Sequence, residues 1–426
     1  MPPRVSRTAE WPFSSIDARG EDHSTKAAVA GPESYPRAVH HPPPARHGRA
    51  DVAVIGGGII GCAAAAIMAD RGARVILVEG SAIGAGASGR NLGAIQHPFD
   101  PVLAPLYAES LTRYRALADM SDAGFSLGRE PAGLLLLNHD LDAAARQAVR
   151  LQAAVPELHP RLLDPDAVVA LEPSLARGPA AVRLATGFPV PPASATEAWA
   201  RLAEERGAQL LVGSPGHPRR RDGRVIGVAL DDGTQIDAEA VLVAAGPWSP
   251  RLVDPDGGWG RIRATYGVTV QLDLGEAAPR HIVEEDDLDG INRADAATER
   301  AAGADESDPP SLFSIASAGG VSTLGSTFLP DEPDPTGIEM LLTRRAAAFM
   351  PAVAEATVVG RRMCARPQSV DGRPFIGPVP GVSGLFVCTG HGPWGISTGP
   401  ASAAIAARAV LDSTAPPVEL DAARPI

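Results

Sequence analysis

The chain changes character at residue 51, where apolar runs follow a long polar start. Residues 1–49 are rich in Pro, His, Ser and Arg and lack apolar periodicity, which predicts a disordered or strap-like N-terminal extension. "DVAVI" (51–55) then predicts a buried strand, "IIGCAAAAIMADRG" (59–72) a helix, and "RVILVE" (74–79) a second strand ending at Glu79. This alternation is typical of an α/β fold with a parallel sheet.

Later segments repeat the alternation of helical and strand patterns. The acidic, Ala-rich residues 284–308 predict a solvated excursion. The remaining predicted elements are helices at 104–120 and 141–154, a helix then a strand within 196–212, a β-meander at 223–246 turning at Asp232-Gly233, a strand at 384–390 and a helix at 399–411.

Composition narrows the function. The net charge of −12 and the absence of a basic stripe argue against a nucleic-acid partner. The only lysine is Lys26, so a lysine Schiff base or a Walker-type phosphate lysine is excluded from the folded body. Positive charge at a site must therefore come from arginine, histidine, backbone amides or a bound cofactor.

The three cysteines, Cys62, Cys364 and Cys388, have no metal-ligand spacing, so we expect no metal and buried free thiols in a cytoplasmic protein. No secretory signal is evident at the start of the chain. Residues 52–69 are uncharged and resemble a membrane span, but three consecutive glycines interrupt them. A strand, a glycine turn and a helix explain the segment better, so no membrane span is expected.

The strongest motif is Gly56-Gly57-Gly58-Ile59-Ile60-Gly61, placed between the first strand and the first helix. Such a turn brings backbone amides at a helix N-terminus close to a pyrophosphate, and Glu79 can accept hydrogen bonds from ribose hydroxyls. The order of strand, turn, helix, strand and acid predicts dinucleotide binding but does not choose between NAD and FAD.

Three further stretches end strands in glycine-rich turns or loops. They are "GAGASGRNLG" (84–93), "VLVAAGPWS" (241–249) and "CTGHGPWGISTGP" (388–400). The first and last offer free amides that can face a polar ligand. The alternative for the first is a flexible linker, but its position beside the first glycine turn favours binding the rest of a longer cofactor. A plain NAD dehydrogenase would leave 84–93 and 390–399 without a role.

Together with "RPQSVDGRPFIG" (366–377), these motifs resemble the FAD-dependent D-amino-acid oxidase family, which includes glycine and sarcosine oxidases and amine dehydrogenases. The resemblance runs from Asp51 to about Leu411. It implies FAD as cofactor, with the pyrophosphate at Gly56, Gly58 and Gly61, the ribose at Glu79 and the adenosine side near Gly246. Its further expected contacts are Ile59, Ile60, Gly80, Ser88, Gly89, Arg90, Asn91, Leu92, Gly93, Ala245, Trp248, Cys364, Gly390, Gly392, Gly395 and Ile396.

The resemblance also implies catalytic positions. Arg366 occupies the place of an arginine that binds the substrate carboxylate, for which a planar guanidinium is well suited; the alternative is a structural arginine paired with an acid of 284–308. His391 could donate to the flavin, assist oxygen or be structural. Cys364 matches a cysteine that tethers flavin in monomeric sarcosine oxidase, with a buried unreactive thiol as the alternative. Trp394 stands where sarcosine oxidases have a lysine, and it is either a wall of the substrate pocket or a core aromatic.

The implied architecture is an α/β fold in which a Rossmann-like FAD-binding domain (50–100, 190–260 and 360–426) is interleaved with a smaller α+β, sheet-based substrate domain (101–189 and 261–359). The implied activity is oxidation of an amino acid or secondary or cyclic amine to an imine, with oxygen or another acceptor reoxidising the flavin. Two alternatives stay open: a biosynthetic tailoring oxidase for a bulky amine without a free carboxylate, and a non-catalytic flavoprotein subunit.

Overall fold

The computed structural model describes residues 48–120, 124–286 and 311–426. Almost all of the predicted N-terminal extension, and residues 287–308 of the predicted acidic excursion, lie outside the described residues. Residues 284 and 285 of that predicted excursion belong instead to a strand, and Glu284 is buried.

The described residues form eighteen strands and eight helices. The strands are β1 (Ala50–Ile55), β2 (Val75–Glu79), β3 (Ala94–Ile95), β4 (Leu134–Asn138), β5 (Arg161–Leu163), β6 (Ala180–Leu184), β7 (Phe188–Pro189), β8 (Gln209–Val212), β9 (Gly216–Arg221), β10 (Arg224–Leu230), β11 (Gln235–Val243), β12 (Ile262–Asp273), β13 (Ile282–Glu285), β14 (Ser311–Ala318), β15 (Val321–Thr327), β16 (Thr357–Ser369), β17 (Phe375–Pro378) and β18 (Leu385–Thr389). The helices are α1 (Ile59–Asp70), α2 (Ala104–Ala118), α3 (Leu141–Ala154), α4 (Pro165–Leu171), α5 (Ser194–Glu205), α6 (Ser249–Val253), α7 (Pro335–Phe349) and α8 (Gly395–Asp412).

The first sheet has the order β17-β18-β11-β1-β2-β8, and β10 and β9 extend it from β11. Its central strands β18, β11, β1, β2 and β8 are parallel, so their carboxyl ends meet at one edge. Helix α1 is apolar and buried around nearly its whole circumference, because it packs against the sheet and also against α5 and α8. Its alanines allow this close approach.

The second sheet has the order β16-β12-β15-β14-β13-β4-β6-β5 and is antiparallel except where β13 pairs β4. Helix α7 covers one face, where Val268, Val270, Phe313 and Leu324 form an apolar core. The alternate residues of the same strands point to the opposite face. That opposite face carries Arg366 and Cys364, which line a cavity shared with the first sheet.

The Rossmann-like fold with an interleaved second sheet is confirmed. Two segments, α2 and the start of β16, pack with a different sheet from the one that the expected domain boundaries gave them. Helix α2 packs on α8 in the core of the first sheet, although residues 101–189 were expected in the substrate domain. Strand β16 pairs with β12 over its whole length, so the chain returns to the first sheet after Ser369 and not at residue 360. The apolar patterns of α2 and β16 would suit the core of either sheet, so the sequence alone could not assign these segments to one sheet.

In the described part of the chain, none of the helices has the length and apolar character needed to cross a membrane.

Candidate active site

The first glycine turn joins β1 to α1 and depends on residues without side chains. Gly56 has φ +116°, and a Cβ there would lie 2.5 Å from the carbonyl oxygen of Ala244. A Cβ on Gly61 would lie 1.9 Å from the carbonyl oxygen of Gly56. The turn can therefore close tightly beside β11, and it leaves the N-terminus of α1 without a side-chain cap of its own.

Glu79 holds this turn from the end of β2. Its Oε2 accepts a hydrogen bond from the backbone N–H of Gly57 at 2.6 Å, and its Oε1 accepts from Ser81 N–H at 2.8 Å. Burial raises the pKa of this carboxyl, and the backbone N–H groups partly offset the rise. Each carboxylate oxygen keeps a second lone pair for a ligand hydroxyl.

The loop 84–93 folds over the N-terminus of α1. Ser88 Oγ accepts from Ile59 N–H at 3.0 Å, so its own hydroxyl hydrogen is free to turn toward a ligand. Asn91 stabilises the loop by donating to the carbonyls of Ala87 and Ser88. Arg90 donates to the carbonyl of Met363 at 3.1 Å and so joins this loop to the second sheet.

The carboxyl ends of β11 and β18 complete the edge of the first sheet. Thr389 donates to the carbonyl oxygen of Gly246 at 2.9 Å and joins the two strand ends. The ring of Trp248 lies 3.7 Å from where a Cβ of Gly86 would be, so β11 also meets the loop 84–93. The turn 56–61, the loop 84–93 and the residues that follow β11 and β18 thus converge at the edge where the parallel strands end, although they are distant in sequence.

His391 lies just after β18 and is 3% exposed. Burial lowers the pKa of its imidazole to about 3, so the ring is neutral at physiological pH. Among the described residues, its Nε2 has no hydrogen-bond partner. A buried, unpaired ring nitrogen at the cavity wall is a ready contact for a polar ligand atom.

Arg366 comes from β16 of the second sheet and is 9% exposed. Its Nη1 donates to the carbonyl of Thr327 at 2.7 Å, its Nη2 donates to Ser326 Oγ at 3.0 Å, and Cζ lies 4.6 Å from the ring centre of Phe328. No carboxylate pairs with it among the described residues. Within these residues, the structure gives no support to the alternative that Arg366 forms a structural ion pair.

Cys364 lies two positions before Arg366 on the same face of β16. Burial raises the pKa of its thiol more strongly than the neighbouring Arg366 and Arg90 lower it. The protonated form is therefore favoured over the nucleophilic thiolate.

One cavity runs between these groups, from Glu79 to Arg366. The predicted residues that line it are Gly56, Gly58, Ile59, Ile60, Glu79, Ser88, Asn91, Ala245, Gly246, Trp248, Cys364, Arg366, His391, Gly392, Gly395 and Ile396.

Other predicted residues lie outside the lining. Trp394 belongs to the apolar core of the first sheet and does not line this cavity. Leu92 packs near Gly325 of the second sheet. The remaining residues of this group are Gly61, Gly80, Gly89, Arg90, Gly93 and Gly390.

Several lining residues were not predicted, and most are neighbours of predicted ones. They are Ser81, Ala85, Gly86, Ala87, Ala244, Pro247, Pro367, Cys388, Thr389 and Pro393. Their small side chains carry no chemical signal of their own. Ser81, Ala244 and Pro247 follow the ends of parallel strands, which was the available clue for these three.

These features fit FAD on observations of the structure itself. A glycine cradle stands at the N-terminus of α1, an acid ends β2, and an orphaned imidazole nitrogen lies further along the same cavity. Gly56, Gly58, Ser88 and Glu79 would hold the pyrophosphate and ribose. Gly392, His391 and Ile396 would contact the ring system.

Comparison with known proteins agrees with this fit. The family described as FAD dependent oxidoreductase matches residues 51–409. A glycine oxidase of Pseudomonas aeruginosa is 30% identical over 364 residues, covering 82% of this chain and 92% of that protein. A D-amino acid dehydrogenase of Cereibacter sphaeroides is 30% identical over 341 residues, covering 74% and 70%. The crystal structure of glycine oxidase from Geobacillus kaustophilus has a TM-score of 0.73 and 25% identity, covering 89% and 99%.

Proposed function

This chain belongs to the FAD dependent oxidoreductase family, and from that premise we propose that it oxidises the C–N bond of a carboxylate-bearing amino acid or secondary amine to an imine. The chain is an FAD-dependent amino-acid or amine oxidase or dehydrogenase. The substrate class, the role of each site residue and the final electron acceptor are parts of the proposal.

One observation carries the proposal: a buried guanidinium faces the cofactor cavity, and its hydrogen-bond partners within residues 48–120, 124–286 and 311–426 are all neutral. The two hydrogen bonds of Arg366 use two of its five N–H donors. A buried cation is stable in such a position when an anion can pair with it. A substrate carboxylate matches the planar fork in charge and shape.

The protein's contribution is binding and orientation. Arg366 holds the carboxylate, which fixes the direction of the neighbouring Cα–H bond. His391 is neutral and offers Nε2 to a polar atom without adding charge. FAD, when bound, would supply the chemistry by accepting a hydride equivalent from the substrate C–H bond, while the N–H proton is released to solvent. The imine then hydrolyses in water.

Anaerobic titration of the purified protein tests this function through the flavin absorbance at about 450 nm. Matched pairs differ only in the carboxylate: glycine and methylamine, sarcosine and dimethylamine, proline of either hand and pyrrolidine. We expect at least one carboxylate-bearing member to bleach the flavin at concentrations where its partner does not. Bleaching by amines alone would favour the tailoring oxidase, and no bleaching by any amine would favour a non-catalytic flavoprotein.

Arg366→Met and Arg361→Met form the matched variants. Arg361 lies on the same strand, its side chain is 46% exposed and it pairs with Glu339, so its loss should not change substrate oxidation. Arg366→Met should retain FAD and lose the advantage of the carboxylate-bearing substrate. Oxygen consumption during turnover then distinguishes an oxidase from a dehydrogenase.

A further inference from the structure

Gly267 lies in the interior of β12, where a glycine weakens a strand unless something approaches it closely. Its φ is not in the left-handed region, so alanine would fit the backbone. The reason for a glycine must therefore lie in the space above its Cα atom.

That space holds the guanidinium of Arg366. A Cβ on Gly267 would lie 2.3 Å from Nη2 and 2.4 Å from both Cζ and Nη1. Near-equal distances to three atoms of the planar group mean that the glycine lies against its face. Across the sheet, Arg366 is paired with Thr265, so its side chain leans diagonally along β12 to reach Gly267.

The neighbours of the guanidinium leave it little freedom to move away. Thr327 O and Ser326 Oγ, from the last two residues of β15, accept from its two terminal nitrogens. The ring of Phe328 lies against it at 4.6 Å. A methyl group on Gly267 would displace the guanidinium from all of these contacts.

We propose that Gly267 is a positioning residue for the substrate carboxylate, because its missing side chain lets Arg366 lie flat on β12, where three of its N–H donors have no partner in the described part of the chain. The inference rests on the proposed function and deepens it. It predicts that specificity for a carboxylate needs the pair Gly267 and Arg366, and not the arginine alone.

The test is a double-mutant cycle on the FAD-loaded protein: wild type, Gly267→Ala, Arg366→Met and the double variant. The probe is acetate, a carboxylate without an amine, titrated against the flavin spectrum, with propylamine as the carboxylate-free probe. Gly260→Ala is the matched control, since a Cβ there would meet nothing within 4 Å.

We expect Gly267→Ala to weaken acetate binding by about tenfold or more and to leave propylamine binding and FAD content unchanged. Gly260→Ala should bind acetate like the wild type. In the Arg366→Met background, adding Gly267→Ala should cause no further loss, because the group it displaces is gone. If Gly267→Ala alone fails to fold, the double variant should fold and retain FAD.

Three results would overturn the inference about Gly267 and leave the proposed function standing: unchanged acetate affinity in Gly267→Ala, additive losses in the double variant, or failure to fold of both Gly267→Ala and the double variant. The role proposed for Arg366 is tested separately from that of Gly267. If Arg366→Met binds acetate as tightly as the wild type, or the wild type shows no response to acetate, the role proposed for Arg366 fails and this inference with it.

Discussion

Replacing His391 by glutamine should make the protein more resistant to acid. The imidazole is 3% exposed, and burial lowers its pKa to about 3. In the unfolded chain, an ordinary histidine binds a proton below about pH 6.5. Between these two values the unfolded chain binds a proton that the folded protein excludes, so the free energy of unfolding decreases as the pH falls.

The size of the effect follows from the depressed pKa. Each pH unit in this window changes the free energy of unfolding by about 1.4 kcal/mol. At pH 5, about 1.5 units below the ordinary histidine value, the cost is about 2 kcal/mol, and it is nearly absent at about pH 7.5. Glutamine does not titrate, so His391→Gln should lose about 2 kcal/mol less than the wild type over that interval.

Urea unfolding at both pH values, followed by circular dichroism with FAD at a fixed excess, measures this difference. His217→Gln is the control, because the side chain of His217 is 59% exposed. It should behave like the wild type. Equal losses of stability in the wild type and in His391→Gln would refute the claim that His391 is a buried neutral ring.

Three other changes test separate parts of the structure. Gly61→Ala places a methyl group 1.9 Å from a backbone oxygen, so FAD affinity measured by fluorescence should fall about tenfold or more. Gly337→Ala is the control and should not change the FAD affinity, because a Cβ there meets nothing within 4 Å. Because burial raises the pKa of the Cys364 thiol and favours the protonated form, we expect no covalent bond between Cys364 and FAD. Acid precipitation should therefore release FAD from the wild type and from Cys364→Ser alike, and a yellow pellet from the wild type alone would contradict this. Arg424 donates from Nε and Nη2 to the two carboxylate oxygens of Asp371 and is 7% exposed. Arg424→Leu should therefore lower the free energy of unfolding by about 2–3 kcal/mol, and an unchanged urea midpoint would show that the pair contributes little.

The part of the site between β1 and Glu79 could be predicted because its signals are local. The strand, the glycine turn, α1 and Glu79 all fall within 30 residues, and β1, α1 and β2 form as their apolar patterns indicate. The turn between β10 and β11 at Asp232-Gly233 was likewise evident from two residues.

The rest depends on contacts between distant segments. Arg366 was found through the resemblance of its motif, but its bond to the Thr327 carbonyl and its contact with Gly267 depend on how β12, β15 and β16 are paired. The only local clue was an interior glycine in "TYGVTV". Trp394 shows the same limit, because an aromatic residue in a glycine-rich turn suits a pocket wall and a core equally well.

A crystal structure of the FAD-loaded protein with acetate tests the central claim most directly. The account predicts the ring system of FAD in the cavity between His391 and Cys364, with acetate paired to the guanidinium of Arg366 beside it. A ring bound elsewhere, or an Arg366 side chain turned away from the cofactor, would contradict it.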